Sequence, residues 1–299
     1  MNAEPISKEF IQANGLMFEV YACGQGDKLA LCLHGFPEHA ISWHYQMPLL
    51  AKLGYKVWAP NLRGYGNSSR PTRMRDYCLE NLMTDIACLI DASGTKSTHL
   101  IAHDWGAIIA WQFAMHKIRP LEKLTILNVP HPAVFQKVVK RSKPQQKKSR
   151  YMGLFQIPWL PEWQLTRNQG QALGRILKNT MKHKENLPEE ILTLYKTSAC
   201  QPGAMTAMLN YYRALIRGGS ARRFSKKGFP VIETPTLMIW GENDLAVEKE
   251  TTYGTEAYVK DFRIRYLPGI SHWVQQDDPE TVNRMLEAWV RNEEIPYAT

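Results

Sequence analysis

The chain alternates short apolar segments, each ending in turn-forming residues, with segments whose apolar residues have helical spacing. Apolar runs of this length that end in turn residues predict buried strands. Strands alternating with helices predict βαβ units, and therefore an α/β fold with a mostly parallel central sheet flanked by helices. The predicted strands of the first part are 28–35, 55–61, 97–103 and 122–129, and the predicted helices are 41–52, 78–92 and 106–116.

A helical block interrupts this alternation. Residues 134–230 contain helical patterns such as 188–197 and 205–217 but no clear strand, whereas strands return at 234–241 and 262–269 before a last helix at about 279–292. We therefore expect a core domain formed by residues 1–133 and 230–299, and an inserted helical cap, or lid, formed by residues 134–229. An insertion that follows the carboxyl end of a strand lies over the edge where open α/β sheets bind ligands.

Cysteine usage and the N-terminus bear on the compartment. The five cysteines are scattered and include no CxxC pair, so the sequence predicts neither a disulfide framework nor a zinc site. The N-terminal MNAEPISKEF is polar and lacks the features of a secretory signal, and no apolar run is long enough for a membrane span. We expect a cytoplasmic protein, with monomer and homodimer both open.

The formal net charge of +9 is concentrated in one stretch, residues 137–150, KVVKRSKPQQKKSR. Surfaces that bind single-stranded nucleic acid usually combine such charges with stacking aromatic residues, which this stretch lacks. We therefore expect a solvated surface segment and no binding to nucleic acid. An acidic partner or a membrane surface is the alternative interpretation.

The segment LIAHDWGAIIAW places an acid between a predicted strand and a predicted helix. Ala102, Asp104 and Gly106 have the spacing of a nucleophile elbow, a sharp turn in which small residues flank the reactive one, with Asp104 in the place usually held by serine. Asp is also a good N-cap, because it accepts hydrogen bonds from the first N–H groups of a helix. Taken alone, the elbow pattern leaves both interpretations open.

Two further residues favour the catalytic interpretation. Asp244 in GENDLAV and His272 in GISHWV each follow a predicted strand, so the chain order is nucleophile, acid, histidine. This is the order of the α/β-hydrolase triad. Other acids nearby are weaker candidates for the residue that orients the histidine: Glu242 lies in the turn itself, and Asp277 and Asp278 precede the last helix, where capping explains them.

The loop HGFPE, residues 34–38, follows the first strong strand. In hydrolases with an elbow, one oxyanion-hole N–H comes from the residue after the nucleophile and one from this loop. Here these would be the N–H groups of Trp105 and Phe36. The alternative is a tight turn enforced by Gly35 and Pro37.

The identity of the nucleophile limits the chemistry. A carboxylate is ionised at neutral pH, and its attack on saturated carbon gives a stable alkyl ester. Asp104 therefore predicts substitution at carbon followed by ester hydrolysis, with His272 activating the water. The leaving group is a halide or the oxygen of a strained ring, and the second needs a proton donor such as a phenol. Tyr151 and Tyr212 in the helical block are candidates.

These residues belong to a wider pattern: the chain resembles the α/β-hydrolases of the soluble epoxide hydrolase family over nearly its whole length. The resemblance lies in segments that occur in the order that family shows: HGFPE, LRGYGNSSRP, AHDWG, NVPHP, FQIPWLPE, LNYYRAL, GENDLAV and GISHWVQQDDPE. HDWG alone is shared with haloalkane dehalogenases, whereas the segments of the helical block discriminate better.

The resemblance implies an epoxide hydrolase that forms a vicinal diol from an epoxide and water, through an ester on Asp104, and needs neither metal nor organic cofactor. The two ring-polarising tyrosines of that family lie five residues before the Gln of FQ and just before the Arg of YYR, which are Tyr151 and Tyr212 here. Tyr211 is expected to face away from Tyr212 on its helix. Candidate pocket-wall residues, each of which could equally belong to the core, are Phe36, Trp105, Phe155, Trp159 and Trp273.

Two alternatives remain. A haloalkane dehalogenase typically has Asn at the position of Phe36, where it helps to hold halide. A ligand-binding protein without turnover could use the same scaffold, although the complete triad and both tyrosines argue against it.

Overall fold

The computed structural model describes residues 5–298; residues 1–4 and 299, which the sequence prediction includes in the core domain and the polar N-terminus, lie outside the described residues. The strands are β1 Ser7–Ala13, β2 Leu16–Cys23, β3 Lys28–Leu33, β4 Tyr55–Pro60, β5 Ser97–His103, β6 Lys123–Leu127, β7 Thr236–Gly241 and β8 Phe262–Leu267. Within the described residues they form one sheet in the order β1-β2-β4-β3-β5-β6-β7-β8. From β4 to β8 all neighbours are parallel, as the alternating pattern predicts.

The elbow strand β5 lies in the middle of this sheet, between β3 and β6. Leu100, Ile101 and Ala102 are fully buried, because helices cover both faces of a parallel sheet. This burial explains why three consecutive apolar residues, and not an alternating pattern, mark the centre of the strand in the sequence. Parallel neighbours also bring the carboxyl ends of β3, β5, β6, β7 and β8 to one edge of the sheet.

Strands β1 and β2 are additional to those predicted. They form an antiparallel hairpin through Asn14 and Gly15, both with positive φ, which is typical of tight hairpin turns. β2 then pairs antiparallel with β4. The hairpin is at the sheet's edge, and most of β1 is exposed, so its sequence lacks the apolar run of a buried strand.

The helices before the inserted block are α1 Met47–Lys52, α2 Leu79–Ser93 and α3 Asp104–Met115. The single helix predicted at 41–52 is wrong: a 3-10 turn, Ala40–Trp43, precedes α1, and Pro48 lies in the first turn of α1. Proline lacks an N–H group, so it suits the first turn of a new helix better than the interior of a longer one.

The inserted block lies between β6 and β7. Its helices are α4 Pro132–Arg141, α5 Lys143–Lys148, α6 Tyr151–Leu154, α7 Leu160–Thr180, α8 Glu189–Ala199, α9 Ala204–Ile216 and α10 Ser220–Lys227. Helix α7 is interrupted at Arg167–Gly170, where Asn168, Gln169 and Gly170 have left-handed backbone angles. The chain ends with α11 Val274–Asp277 and α12 Pro279–Arg291. No helix of residues 5–298 combines the length and the apolar character that crossing a membrane requires.

The apolar core is divided by the sheet. One cluster joins one face of the sheet to α2, α3 and the inserted helices, and the other joins the opposite face to α1 and α12. A third cluster packs side chains of α7 and α8 against Trp273, beside the histidine of the predicted triad. The inserted helices therefore pack directly over the edge of the sheet where the predicted site residues lie.

Candidate active site

Asp104 lies at a sharp corner between β5 and α3. Its φ of 46° is in the left-handed region, which is uncommon for a residue other than glycine. Glycines allow the close approach around it: a Cβ on Gly35 would lie 2.2 Å from the Asp104 Cβ, and a Cβ on Gly106 would lie 2.4 Å from the Leu33 carbonyl oxygen. The carboxylate does not cap α3, because its Oδ1 accepts a hydrogen bond of 2.7 Å from the backbone N–H of Phe36.

Three predicted residues meet at the edge of the sheet. The Nδ1 of His272 lies 2.6 Å from Oδ2 of Asp244, and its Nε2 lies 3.4 Å from Oδ2 of Asp104. The other oxygen of Asp244 accepts hydrogen bonds from the backbone N–H groups of Ala246 and Val247. The histidine is thus held between the buried carboxylate of Asp244, which is fixed by its own loop, and the carboxylate of Asp104, which is 15% exposed.

The competing acids have other partners. Glu242 forms an ion pair with Lys249. The carboxylate of Asp277 accepts hydrogen bonds from backbone N–H groups, including those of Lys182 and His183 in the inserted block. Asp278 caps α12. Among the acids considered from the sequence, Asp244 is therefore the one that contacts the imidazole.

The two carboxylates decide the charge of the imidazole. Burial opposes protonation, but the charge of Asp244 and the hydrogen bonds with Asp104 and Asp244 raise the pKa of His272 to about 10. Burial likewise opposes ionisation of the two acids, yet the interaction with His272 lowers the pKa of Asp104 and of Asp244 below the usual value. At neutral pH the resting site holds an ionised Asp104 next to a protonated His272.

Asn128 is a site residue that the sequence reasoning missed. It follows β6 with a φ of 49°, and its Nδ2 donates to Oδ2 of Asp244 at 2.8 Å. Its amide also bonds both the N–H and the carbonyl of Gly241 at the end of β7. The signal that could have found it is a polar residue at the carboxyl end of the strand next to the one that precedes Asp244.

The two candidate phenols come from different inserted helices. Tyr151 begins α6 and Tyr212 lies on α9, with ring centres 5.9 Å apart and ring planes at 80°. Burial raises the pKa of both phenols, and the nearby Asp104 carboxylate raises it further. Both therefore stay protonated at neutral pH. Tyr211 points elsewhere, since its hydroxyl donates to the backbone carbonyl of Arg63 at 2.8 Å.

Trp105, the second predicted oxyanion-hole donor, lies in the first turn of α3. Backbone N–H groups in a first helical turn have no partner within the helix. Of the two predicted donors, the Phe36 N–H is the one that bonds Oδ1 of Asp104 in the structure. The oxyanion hole itself stays a prediction.

A cavity of about 290 Å³ connects these groups. Asp104, Trp105 and His272 line it from the core domain, and Tyr151 and Tyr212 line it from the inserted block. The rest of the lining is mainly apolar and comes mostly from the loop after β6 and from α3, α4, α9 and α10. The site therefore combines a few polar groups with a mainly apolar cavity lining, which is the usual composition of a small-molecule site.

Of the five predicted wall residues, only Trp105 lines this cavity. Phe36 and Phe155 pack behind Tyr212, with ring centres at 5.5 and 5.0 Å. Trp273 packs beside the His272 ring, and its indole N–H donates to Thr180. Trp159 does not belong to the wall: its side chain is 83% exposed, because a left-handed backbone turn directs it outward.

Groups of three or more His, Cys, Asp or Glu side chains able to hold a metal ion are absent from residues 5–298.

Comparisons with known proteins show which family this chain is similar to. The pattern of the α/β-hydrolase fold family matches residues 30–279. Human epoxide hydrolase 4 is 37% identical over 289 residues, which cover 95% of this chain and 78% of that protein. The AB hydrolase superfamily protein YfhM of Bacillus subtilis (strain 168) is 35% identical over 287 residues, covering 95% of this chain and 98% of that protein.

A solved structure is similar over the same span. The crystal structure of an epoxide hydrolase from Bacillus megaterium in complex with an inhibitor matches with a TM-score of 0.86 and 31% sequence identity. The match covers 95% of this chain and 100% of that one, so both the core and the inserted helices are shared.

Proposed function

Because the chain belongs to the α/β-hydrolase fold family, and within it to the epoxide hydrolases, we propose that it converts an epoxide to a vicinal diol through a covalent ester on Asp104. The observation that carries the proposal is that one cavity brings together the Asp104 carboxylate, the His272 imidazole and two protonated phenols. The carboxylate supplies a nucleophile and the phenols supply donors for a departing ring oxygen. Residues 134–229 act as the cap that contributes those donors.

In the first half-reaction, Tyr151 and Tyr212 donate hydrogen bonds to the epoxide oxygen. The Oδ2 of Asp104 attacks one ring carbon, the bond from that carbon to the ring oxygen breaks, and a phenol proton passes to the resulting alkoxide. Oδ2 is the oxygen available for attack, since Oδ1 is bonded to the Phe36 N–H. The product is a hydroxyalkyl ester and a transient phenolate near a protonated His272.

In the second half-reaction, His272 acts as the general base. Esterification removes the negative charge of Asp104, which is one of the causes of the raised pKa of His272, so the imidazole gives up its proton more easily. Its proton can restore the phenol, and neutral His272 then takes a proton from the attacking water. Asp244 keeps the ring oriented throughout.

Hydrolysis of the ester passes through an oxyanion on the former Oδ1. The N–H groups of Phe36 and Trp105 stabilise this charge, and such a donor is typically worth about 2.7–4 kcal/mol. Collapse of the intermediate releases the diol and regenerates the Asp104 carboxylate. The overall reaction consumes one epoxide and one water.

The decisive experiment traps the ester. His272→Gln removes the base but keeps Asp104, so incubation with styrene oxide is expected to add the mass of one substrate molecule to the intact protein. The double variant Asp104→Asn/His272→Gln is the matched control and should gain no mass. Binding of the epoxide to His272→Gln without any mass gain would show that the covalent route is wrong.

The same assay separates this proposal from the dehalogenase alternative, which also passes through an ester. Wild-type enzyme is expected to form phenylethanediol from styrene oxide and to release no halide from chloroalkanes or bromoalkanes. Halide release without diol formation would show that the substrate is a haloalkane and not an epoxide.

A further inference from the structure

Five large apolar side chains are exposed within ten residues of the inserted block. They are Leu154, Ile157, Trp159, Leu160 and Trp163, and we call this set the apolar patch. Trp159 is 83% exposed and Trp163 is 57% exposed. Single exposed apolar residues are normal, but a contiguous set with two tryptophans indicates a surface that contacts something other than water.

A buried arginine fixes the backbone of the patch. Arg213 on α9 donates to the carbonyl oxygens of Phe155 at 3.0 Å and Ile157 at 2.9 Å, and it forms an ion pair with Glu162 at 2.7 Å. In the turn held this way, Trp159 adopts a φ of 61°, a strained conformation for a bulky residue. The turn that exposes Trp159 is therefore built into the fold.

Three arginines contact the patch or the backbone next to it. Arg150 accepts backbone hydrogen bonds from Gly153 and Leu154, the guanidinium of Arg167 lies 4.7 Å from the centre of the Trp163 ring, and Arg217 donates to the backbone of Gln156. Residues 134–180 contain ten Lys and Arg but a single acid, Glu162, which is the partner of Arg213. The surface is thus apolar at its centre and positive around it.

The patch lies next in the chain to residues that line the active-site cavity. Met152, two residues before the patch, and Ile216, next to Arg217, both line the cavity, and Ile216 is 47% exposed, so the cavity reaches the surface there. A partner that covers the patch would therefore lie beside the route by which an apolar substrate enters.

We propose that the apolar patch and its arginines dock on the surface of a membrane that contains anionic phospholipid. Tryptophan is favoured at the level of lipid headgroups, and arginine pairs with phosphate while its aliphatic part contacts apolar groups. Basic residues around an inserted apolar face strengthen binding to anionic lipids. The membrane would then present apolar epoxides directly at the opening of the cavity.

Charge argues against a second copy of the chain as the occupant. A two-fold contact through the patch brings the same surface of both copies together. Arg150, Arg167 and Arg217 would then approach a patch that is also flanked by arginines, and the single acid of residues 134–180, Glu162, is already paired with Arg213. Like charges placed across an interface are costly.

The test measures vesicle binding without substrate, so it does not depend on the proposed reaction. Co-sedimentation compares vesicles of phosphatidylcholine alone with vesicles of phosphatidylcholine mixed with phosphatidylserine. We expect the wild-type chain to bind the mixed vesicles, to bind more weakly at raised salt, and to leave phosphatidylcholine vesicles largely unbound.

Two pairs of variants assign the binding to this surface. Trp159→Ala/Trp163→Ala should weaken binding by about tenfold or more, whereas Phe10→Ala, which removes an aromatic side chain of equal exposure on β1, should not. Arg150→Glu/Arg217→Glu should also weaken binding. The control with the same charge change is Arg73→Glu/Arg75→Glu, at exposed positions of the core domain.

Unchanged midpoints of thermal unfolding show that the variants fold. No binding to mixed vesicles, or equal binding to both vesicle types, would overturn the proposal. A further result would also overturn it: the wild-type chain is a dimer that binds no vesicles, and Trp159→Ala/Trp163→Ala is a monomer. The patch would then be a contact between copies.

Discussion

The backbone N–H of Phe36 donates a hydrogen bond of 2.7 Å to Oδ1 of Asp104. A donor predicted for the oxyanion hole thus already holds the nucleophile before any substrate binds. In the proposed ester, Oδ1 becomes the carbonyl oxygen and receives the negative charge when water attacks. In the proposed mechanism, the same N–H group would therefore orient the carboxylate in the first half-reaction and stabilise the oxyanion in the second, without any movement of the loop.

Asp104→Asn is expected to lower the pKa of His272 from about 10, because it removes the charge and the charge-assisted hydrogen bond of one of the two flanking carboxylates. NMR titration of the imidazole measures this pKa directly. An unchanged pKa in the variant would contradict the proposal that esterification of Asp104 prepares His272 to act as a base.

The same shift links stability to pH. Since the folded-state pKa of His272 lies above the value of about 6.5 for an unperturbed histidine, its contribution is complete below that pH and is lost as the pH rises through about 10. In Asp104→Asn this stabilisation should be lost at a lower pH, because the pKa of His272 is lower. Free energies of unfolding from denaturant titrations at several pH values test this order.

Replacement of either phenol tests the proton donors. Tyr151→Phe and Tyr212→Phe should each slow ester formation by about tenfold to hundredfold, and the double variant by about a thousandfold or more, because general acid catalysis is typically worth 10²–10⁴. Single-turnover mass spectrometry in the His272→Gln background follows the step. Equal rates in the double variant and its parent would exclude a phenol role.

The adjacent Tyr211 provides the matched control. Its hydroxyl bonds the carbonyl of Arg63 and does not line the cavity, so Tyr211→Phe should leave ester formation unchanged. Loss of that buried hydrogen bond should lower the free energy of unfolding by about 1 kcal/mol.

Asn128 should matter mainly for the second half-reaction. Asn128→Gly removes the hydrogen bond to Asp244, and a hydrogen bond to a charged group is worth about 1.5–3 kcal/mol, or roughly tenfold to hundredfold in rate. Because Asp244 orients His272, we expect kcat to fall and the ester to accumulate during turnover. A purely structural role would leave ester accumulation at the wild-type level.

A second variant at this position separates catalysis from backbone strain. Asn128 has a φ of 49°, which glycine adopts freely and alanine does not. Asn128→Ala should therefore have the same kcat as Asn128→Gly but a free energy of unfolding lower by about 1 kcal/mol. Different kcat values for the two would show that the backbone, and not the amide, is what matters.

The sequence predicts the sheet best where it is most buried. The strand predicted at 97–103 agrees with β5 at both ends, because the apolar run Leu100, Ile101 and Ala102 at its centre is buried on both faces of the sheet. β1 is exposed along most of its length, and polar residues such as Lys8 and Glu9 interrupt the apolar run that would predict a strand. Its one clear signal is the Asn14–Gly15 turn.

The residues of the candidate site also differ in how well the sequence predicts their positions. Asp104, Asp244 and His272 follow strands, so their order along the chain places them at one edge of a parallel sheet. Which aromatic residues face the cavity depends on how the inserted helices pack, and the sequence does not specify that packing. Trp159 and Trp273 are each followed by an aliphatic residue, Leu160 and Val274, yet Trp159 is exposed and Trp273 packs beside His272.

Glu38 connects the loops of the site through buried hydrogen bonds, and its replacement gives the last prediction. Its carboxylate is completely buried: Oε2 accepts from the Gly35 N–H and faces Nδ1 of His103, and Oε1 accepts from the side-chain amides of Gln275 and Gln276. The other nitrogen of His103 lies 2.9 Å from the backbone carbonyl oxygen of His272. One carboxylate thus connects the loop 34–38, the corner at Asp104 and the loop that carries His272.

Glu38→Gln keeps the size of this side chain and removes its charge. If the carbonyl oxygen of the new side chain takes the place of Oε2, its NH2 group faces the side-chain amides of Gln275 and Gln276. At least one of these two amides must then rotate to present its oxygen. We expect the free energy of unfolding to fall by about 2 kcal/mol and kcat to fall with it, since a buried hydrogen-bonded charge is lost from the centre of a network. Glu242→Gln, which breaks only the partly exposed pair with Lys249, should cost less than about 1 kcal/mol. Denaturant unfolding and steady-state kinetics of both variants decide the matter, because equal effects would mean that the buried network does not hold the site together.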